Sequence, residues 1–303
     1  MIKNVLITGA NGQDGKILLK KLLKKKNLFL IAKKFQKKLK TKNIKFFEFN
    51  LGNKKKLEFF FKNNKVDIIL HLAANNPSFN QNNYKLHYSE NMSNSKNIVN
   101  LALKYNKKVK FISCSSSRIF KKKNGIVSEK SSLEDNDFYS KFRISMNNYL
   151  IDLKEKKRNL DFINVILFNH DSLFRNNRFL LPRIVTALIH ENKKFINNIV
   201  KENIVMDFSH ADDICNALIK LIFTNKKIKN IILSSGNKTY VNDIIKFLIK
   251  KYKINLKLIN NKIKPSYCIV GKNNYAKKII NWKIKKNIYL AAKELYIEKL
   301  REL

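Results

Sequence analysis

Thr8-Gly9-Ala10-Asn11-Gly12-Gln13-Asp14-Gly15 follows directly on the apolar run Val5-Leu6-Ile7. A short apolar run of this kind reads as a buried strand. Behind the glycines, Ile17, Leu18, Leu19, Leu22 and Leu23 repeat with the period of an amphipathic helix. The glycines therefore occupy a strand-to-helix turn. Gly9 takes the tight bend, Gly12 lets backbone approach a pyrophosphate, and Gly15 lets the helix pack on the sheet. The free N–H groups and positive dipole end of the helix then face phosphate. Glycines at this spacing are informative only when strand, turn and helix come in that order. Here they do, and the turn predicts a dinucleotide site built on Gly9, Asn11, Gly12, Gln13, Asp14 and Gly15.

Working outward, further strand-like runs are Leu28–Ile31, Lys45–Phe49, Asp67–His71, Lys108–Ser113 and Phe162–Leu167. Helical patterns near 12–25, 52–63, 84–105 and 138–157 separate them. Such alternation predicts an α/β fold, a Rossmann-type doubly wound parallel sheet that binds ligands at the carboxyl ends of its strands. After residue 169 the pattern loosens into helices near 179–191, 211–224 and 240–251, with strands at Ile204–Phe208 and Ile231–Leu233. We expect a nucleotide domain at 1–168 and a smaller, mostly helical substrate domain at 169–303, interleaved with the last strands of the sheet at about 204–234.

Composition narrows the class. With 303 residues, 44% hydrophobic and 11% aromatic, the chain can bury a real core. No apolar run approaches the roughly 20 residues that span a bilayer, and Met1-Ile2-Lys3-Asn4 leads straight into a strand, so neither membrane nor signal peptide is expected. Cys114, Cys215 and Cys268 are odd in number and far apart, which fits a reducing cytoplasm without a disulfide framework. The five histidines are scattered, and no metal site is expected. The net charge of +41 comes overwhelmingly from lysine, and lysine and asparagine are spread along the whole chain. That is the signature of A-rich codons and solvated helix faces rather than of a nucleic-acid surface. The same field attracts small anionic substrates.

Lys33 and Lys34 follow the second strand, where a site preferring NAD places an acid on the ribose 2′-hydroxyl. Basic residues there suit a 2′-phosphate, so NADP is the expected cofactor. Asn50, Leu51, Leu72, Ala73 and Ala74, beyond the third and fourth strands, are expected to line the same site.

Ser113-Cys114-Ser115-Ser116-Ser117 lies beyond the fifth strand, and Tyr139-Ser140-Lys141-Phe142-Arg143 opens a helix. A strand-end hydroxyl, a helix-borne Tyr and a cation one turn later suit alcohol/ketone oxidoreduction. Tyr139 moves the hydroxyl proton, a serine of the strand-end run hydrogen-bonds the same oxygen, and the cation one turn on lowers the Tyr pKa.

With these segments the chain resembles the extended short-chain dehydrogenase/reductase family, and within it the GDP-mannose 4,6-dehydratases. Gln13-Asp14 in the turn is similar to theirs. Phe168-Asn169-His170-Asp171-Ser172 resembles their Phe-Asn-His-Glu-Ser, with Arg175, Phe179 and Ile184 in register behind it. Asp207-Phe208-Ser209-His210-Ala211-Asp212-Asp213 is similar to their Asp-Trp-Gly-His-Ala-x-Asp, and Ser235-Gly236 and Trp282 fit later segments. The resemblance implies an enzyme acting on a nucleotide sugar, GDP-mannose or a relative. Hydride leaves C4 for NADP while Tyr139 takes the O4 proton, a base removes the C5 proton, water leaves C6, and hydride returns to C6. It also implies Ser116, Tyr139 and Arg143 as catalytic, and His170 beside the cofactor. Ser117, Arg118, Asn169, Arg175 and Arg183 are implied at the substrate, Arg175 toward its diphosphate. A homo-oligomer is expected, a dimer rather than a tetramer.

Four features depart from that family. Arg143 stands for the usual Lys, with a planar fork in place of a point charge; Lys141 lies on the wrong helix face to substitute. Arg118 replaces the Glu that acts at C5 and C6, and a guanidinium is not a proton-abstracting base; Asp171 is the substitute to test. Met206 replaces an Arg, and the segment after Lys34 is short. A 4-keto-sugar reductase or epimerase needs Ser116 and Tyr139 but no acid at 118. A non-catalytic paralogue is the third alternative.

Overall fold

A computed structural model of the chain describes residues 3–23, 27–35, 38, 42–76, 83–157, 160–260 and 263–302. Two compact units emerge, Met1–Lys121 with Ser132–Leu167 and Leu218–Ile231, and Lys122–Ser131 with Phe168–Ala217 and Ile232–Leu303.

The first unit follows from the alternation of apolar runs and amphipathic helices. Strands β1 (Asn4–Thr8), β2 (Asn27–Ala32), β3 (Ile44–Glu48), β4 (Ile68–His71), β5 (Lys110–Ser116), β7 (Asp161–Leu167) and β10 (Asn230–Leu233) make a seven-stranded parallel sheet in the order β10-β7-β5-β4-β1-β2-β3. Val5, Leu6, Ile7, Ile69 and Leu70 have no exposed surface, as strands covered on both faces require. Helices α1 (Gln13–Leu22), α2 (Lys54–Asn63), α3 (Tyr84–Tyr105) and α4 (Phe138–Lys157) are the crossovers. Residues 24 and 25, expected to finish α1, lie outside the described residues, as do 36, 37 and 39–41 of the short segment after Lys34. The order reverses between β1 and β4, which is where a doubly wound sheet opens its ligand crevice.

One correction concerns the serine run. It is not beyond β5 but inside it: Ser113 to Ser116 pair in parallel with Asn164 to Leu167 of β7. The ladder satisfies backbone that a loop would have left to solvent, so only Ser116 and Ser117 reach the strand's end. Lys110, at the other end of β5, is a buried cation. Its Nζ donates to the carbonyls of Leu221 and Thr224 at 2.8 and 2.7 Å, capping the C-terminal end of α7 (Ala211–Phe223).

The second unit holds a core of Leu181, Ile184, Leu188, Ile196, Ile244, Leu248 and Leu295. It comes from α5 (Leu180–Ile189), α6 (Lys193–Glu202), α8 (Val241–Tyr252) and α10 (Ile288–Arg301). The expected strand at Ile204–Phe208 exists as β9 (Val205–His210), but it does not join the large sheet. It pairs in parallel with β8 (Asn169–Asp171) and antiparallel with β11 (Lys238–Tyr240). A separate two-stranded sheet joins β6 (Gly125–Val127) to β12 (Ile269–Gly271). Helix α6 has no counterpart in the expectation, although Asn192 caps it, accepting the Phe195 N–H at 3.0 Å, and Ile196, Ile199 and Val200 form its buried stripe. All three cysteines are buried, and none is disulfide-bonded. Among the described residues no helix is long and apolar enough to cross a membrane.

Candidate active site

Thr8, the last residue of β1, is registered with Ile31 of β2 and His71 of β4. At these strand ends lies a cleft of about 350 Å³. Gly9, Asn11, Gly12, Lys33, Lys34, Asn50, Leu51, Leu72, Ala73 and Ala74 all line it. Sequence reading missed Asn75, Glu90, Asn91 and Asn94, which complete the wall. They sit on a loop and on one face of α3, and a lone Asn or Glu on a helix face carries no sequence signal.

The glycines have distinct jobs. Gly9 has φ +68°, and a Cβ there would stand 2.8 Å from the Ala73 nitrogen, so both backbone conformation and close approach demand glycine. A Cβ on Gly15 would stand 2.4 Å from the Ala10 carbonyl oxygen. Its close partner is thus the turn itself, rather than the sheet as expected. Gly12 is the residue before α1 and supplies no side-chain cap, so the first-turn N–H groups have no intrahelical partner and are placed for an anion. Gln13 and Asp14 open α1; Gln13 is buried, and its Nε2 donates to Asp14 Oδ1 at 3.2 Å.

A buried polar chain holds the cleft's floor. The Ala73 N–H donates to Thr8 Oγ1 at 3.4 Å, and Thr8 Oγ1 lies 2.7 Å from His71 Nδ1. His71 Nε2 lies 2.9 Å from Ser95 Oγ, which donates its own proton to the Asn91 carbonyl at 2.7 Å. The directions fix the tautomer: Nδ1 accepts from Thr8, and Nε2–H donates to Ser95. Burial, with the Arg143 charge adding to it, pushes the imidazole down to about 3, so His71 is neutral. Asn91 closes the chain by clamping Asn75, accepting its N–H at 2.8 Å and donating to its carbonyl at 3.1 Å.

At the end of β2, Lys33 and Lys34 are exposed, and Asn11 Nδ2 donates to the Lys34 carbonyl at 3.1 Å. The neighbouring acid, Glu48, is registered with Ala32. It is already engaged, accepting the Phe35 N–H at 2.7 Å and pairing with Lys38 at 2.6 Å. Hydrogen bonding to Lys38 holds its carboxyl below the usual range. Glu90, the one carboxylate among the described residues lining the cleft, accepts from Asn75 Nδ2 at 2.5 Å.

The residues expected to handle a hydroxyl also belong to this unit. Ser116 ends β5, and its Oγ accepts the Arg118 N–H at 3.3 Å, folding the 3-10 turn Ser117–Ile119 back on the strand. Asp137 caps α4: its Oδ1 accepts the Ser140 N–H at 2.7 Å while Ser140 Oγ accepts the Asp137 N–H at 3.0 Å. This reciprocal cap fixes the turn that carries Tyr139. Arg143, one turn on and 7% exposed, donates from Nη2 to the Tyr139 hydroxyl at 2.9 Å, with its guanidinium over the Tyr139 and Phe142 rings. Its Nε is buried without a hydrogen-bond partner. Arg118 forms an ion pair with Asp137. Burial pushes the Asp137 carboxyl up, but the Ser140 N–H and Arg118 together pull it below its ordinary value. Asp137 escaped sequence reading, although an Asp three residues before Ser140 at a helix start is a capping signal. Cys114, between the serines, is inert, its thiol pushed by burial up to about 12.

Asn169, His170, Arg175 and Arg183 lie in the second unit. Asn169 is exposed on β8. His170 is buried, with Nδ1 bonded to the Phe168 carbonyl at 2.7 Å. Asp171, the substitute base, is 3% exposed and ion-paired with Arg175 at 2.7 Å. Arg175 in turn covers the Phe179 ring at 3.5 Å. A carboxylate so held is a structural anion rather than a free base. Arg183 stacks on Phe195 in a groove with Asn177 and His190. Asp207 and Asp213 of the remaining motif are anchors. Asp207 accepts from Ser235, Gly236 and Gly271, and Asp213 Oδ2 from the Lys285 and Lys286 N–H groups at 2.7 Å. Burial nonetheless raises the Asp207 carboxyl.

The fold has many known counterparts. UDP-glucose 4-epimerase from Thermotoga maritima, solved with UDP-glucose, superimposes with a TM-score of 0.82 at 17% identity, covering 99% of each chain. dTDP-glucose 4,6-dehydratase from Bacillus anthracis, solved with NAD, gives 0.84 at 18% identity over 99% of this chain and 98% of that one. UDP-glucuronic acid 4-epimerase from Bacillus cereus, also with NAD, gives 0.81 at 17% identity over 98% and 97%. No curated protein matches the chain by sequence. The family model described as "NAD dependent epimerase/dehydratase family" matches residues 5–233, from β1 through β10. The chain belongs to the NAD-dependent epimerase/dehydratase family.

Proposed function

We propose that the protein moves hydride between a nicotinamide dinucleotide, NADP by preference, and a ring carbon of a nucleotide sugar. The observation that carries this reading is the Tyr139 hydroxyl held 2.9 Å from Arg143 Nη2 at the capped start of α4. Ser116, at the end of β5, supplies the second hydroxyl of this reading. When bound, the cofactor supplies the hydride acceptor and donor. Gly9, Gly12 and the first turn of α1 hold its pyrophosphate, Leu72, Ala73 and Ala74 line its path, and Lys33 and Lys34 take a 2′-phosphate. Tyr139 accepts the proton of the sugar hydroxyl, Ser116 hydrogen-bonds the same oxygen, and Arg143 keeps positive charge beside the phenol oxygen through the transfer. Glu48, the acid registered beside the end of β2, is already engaged by the Phe35 N–H and Lys38.

The arrangement supports a reversible oxidation and reduction, as in an epimerase or a 4-keto-sugar reductase. GDP-mannose 4,6-dehydration is a second reading, favoured by the segment Phe168–Ser172. It requires a base for the C5 proton, and the two nearest candidates in sequence are both committed: position 118 is an Arg, and Asp171 is paired with Arg175.

The test incubates purified protein and NADP with GDP-mannose or UDP-glucose and follows products by mass spectrometry and NMR. Epimerised sugar at unchanged mass, or NADPH consumption with a supplied 4-keto-6-deoxy sugar nucleotide, supports the leading reading. Loss of one water supports dehydration. Cofactor binding with none of these leaves a non-catalytic paralogue. Equal affinity for NAD and NADP removes Lys33 and Lys34 from the 2′-phosphate role.

A further inference from the structure

We propose that His87 is the far end of a proton relay, in which one water in a small recess beside Tyr139 carries a proton between the phenol and His87 Nδ1. This rests on the hydride-transfer reading above and deepens it by naming where the proton of the sugar hydroxyl goes.

The need for a relay is set by Arg143. Its Nη2 donates to the Tyr139 hydroxyl oxygen at 2.9 Å. That bond takes a lone pair of the phenol and leaves the phenol's own proton unspent, since a guanidinium has donors and no acceptor. Arg143 does not pass a proton onward either, because a guanidinium stays protonated in proteins. When Tyr139 takes the proton of a sugar hydroxyl, the proton it already holds needs an acceptor on another side.

The recess supplies that acceptor. Phe138 and Tyr139 of α4 line it with Tyr84, His87 and Tyr88 of α3, around a space of about 10 Å³. That is room for one water. Asn75 and Asn91 also line it, but they are committed to each other through the Asn75 N–H and carbonyl, at 2.8 and 3.1 Å. His87 differs from them: its Nδ1 is buried and has no hydrogen-bond partner. Buried polar atoms are as a rule paired, with ordered water where protein offers nothing. In a space one water wide, a single molecule bridges the orphaned nitrogen on α3 and the phenol on α4. A neutral imidazole with its proton on Nε2 accepts at Nδ1, and unlike a guanidinium it takes up and releases protons.

The transfers balance. In the oxidising direction the ring C–H bond breaks and its hydride passes to the nicotinamide. The sugar O–H proton moves to the Tyr139 oxygen as the phenol's proton moves to the water, and a proton of the water moves to His87 Nδ1. The sugar ends as a ketone, Tyr139 and the water end as they began, and the imidazole ends protonated. Reduction runs the same transfers backward. His87 is half-buried, so solvent resets its charge between turnovers.

Two measurements test the relay. A high-resolution crystal structure of the NADP-loaded protein should show one water within about 3.2 Å of both His87 Nδ1 and the Tyr139 oxygen; a structure without it overturns the relay whatever the substrate. Turnover is then measured on whichever nucleotide sugar of the preceding section the wild type converts. His87→Ala should lower kcat about tenfold or more with KM little changed, less than the roughly 10²–10⁴-fold carried by a group that meets the substrate directly. Added imidazole should restore part of the loss. His87→Gln, which holds the water but takes no proton, should lose as much and gain nothing from imidazole. Thermal midpoints check folding; should His87→Ala not fold, His87→Gln decides. Unchanged kcat in either folded variant, or a loss in His87→Ala that imidazole does not relieve, overturns the relay and leaves hydride transfer standing. If the wild type converts none of these sugars although NADP binds, the hydride-transfer reading fails and the relay fails with it.

Discussion

Gly9→Ala and Gly12→Ala differ by three positions in one turn, and the structure predicts opposite failures. At Gly9, φ is +68°, a conformation that costs an L-residue about 1–2 kcal/mol. The added Cβ would also stand 2.8 Å from the Ala73 nitrogen and 3.0 Å from its Cα. That is backbone, and the Thr8 hydroxyl holds it, so it does not swing aside. Overpacking of this kind adds about 1–3 kcal/mol, for a total of about 2–5 kcal/mol. At about 2–4 °C per kcal/mol for a chain of this size, the thermal midpoint falls on the order of 10 °C. At Gly12, φ is −73° and the nearest atom is the Gly9 carbonyl oxygen at 3.2 Å. Alanine before the helix costs about 0.5–1 kcal/mol. Its methyl group, however, projects from a residue that lines the cleft, where backbone has to approach the pyrophosphate. Cofactor affinity therefore drops at least about tenfold, equivalent to about 1.4 kcal/mol. Differential scanning fluorimetry and NADPH fluorescence titration read the two effects separately. Equal losses of midpoint in both variants, or full cofactor affinity in Gly12→Ala, would refute the assignment of these glycines to separate roles.

Other residues give simpler tests. Tyr139→Phe removes the proton acceptor and should lower turnover about 10²–10⁴-fold with an unchanged midpoint; intact turnover takes Tyr139 out of proton transfer. Lys110→Met leaves the Leu221 and Thr224 carbonyls without their buried donor, costing about 1–3 kcal/mol in denaturant unfolding, and a neutral result makes the cap unimportant. His71 carries a pH signature. Its folded value near 3 lies below the ordinary 6.5, so below pH 6.5 the unfolded chain takes up a proton that the folded chain refuses. Its contribution is present above 6.5 and is lost as pH falls toward 3, at about 1.4 kcal/mol per unit. Between pH 6.5 and 5 the wild type should lose about 2 kcal/mol from this group. His71→Gln, measured by urea midpoints, should show a correspondingly shallower decline, and parallel slopes would mean that His71 titrates in the fold.

The N-terminal half was legible because local signals and burial agree there. Val5-Leu6-Ile7 is apolar because both sheet faces are covered, and Gly9 and Gly15 are glycine because Ala73 and Ala10 leave no room for a Cβ. Where the two parted, reading failed. Val205–His210 has strand character, but strand character names no sheet, and its partners Asn169–Asp171 and Lys238–Tyr240 are three-residue strands too short to show a period. Asn91 and Ser95 work through hydrogen bonds to the backbone of Asn75 and Asn91, which any sequence offers, so only the fold reveals them. Asp137 was within reach, since an Asp ahead of Ser140 is what a helix start asks for.

Arg118 and Arg143 show the same division at the level of chemistry. A family pattern identifies both as substitutions, yet substitution alone says nothing about what each arginine now does. Arg143 is buried and bonded to the Tyr139 hydroxyl, and two aromatic rings fix its plane, a geometry that supports the proposed role of the cation it replaces. Arg118 occupies the position of an acid and inverts its charge, so no version of the acid's role survives. What its side chain touches is Asp137, the carboxylate that caps α4. A guanidinium paired with Asp137 at the start of α4 supplies no base for a C5 proton, so a dehydration at this site would need its base from elsewhere.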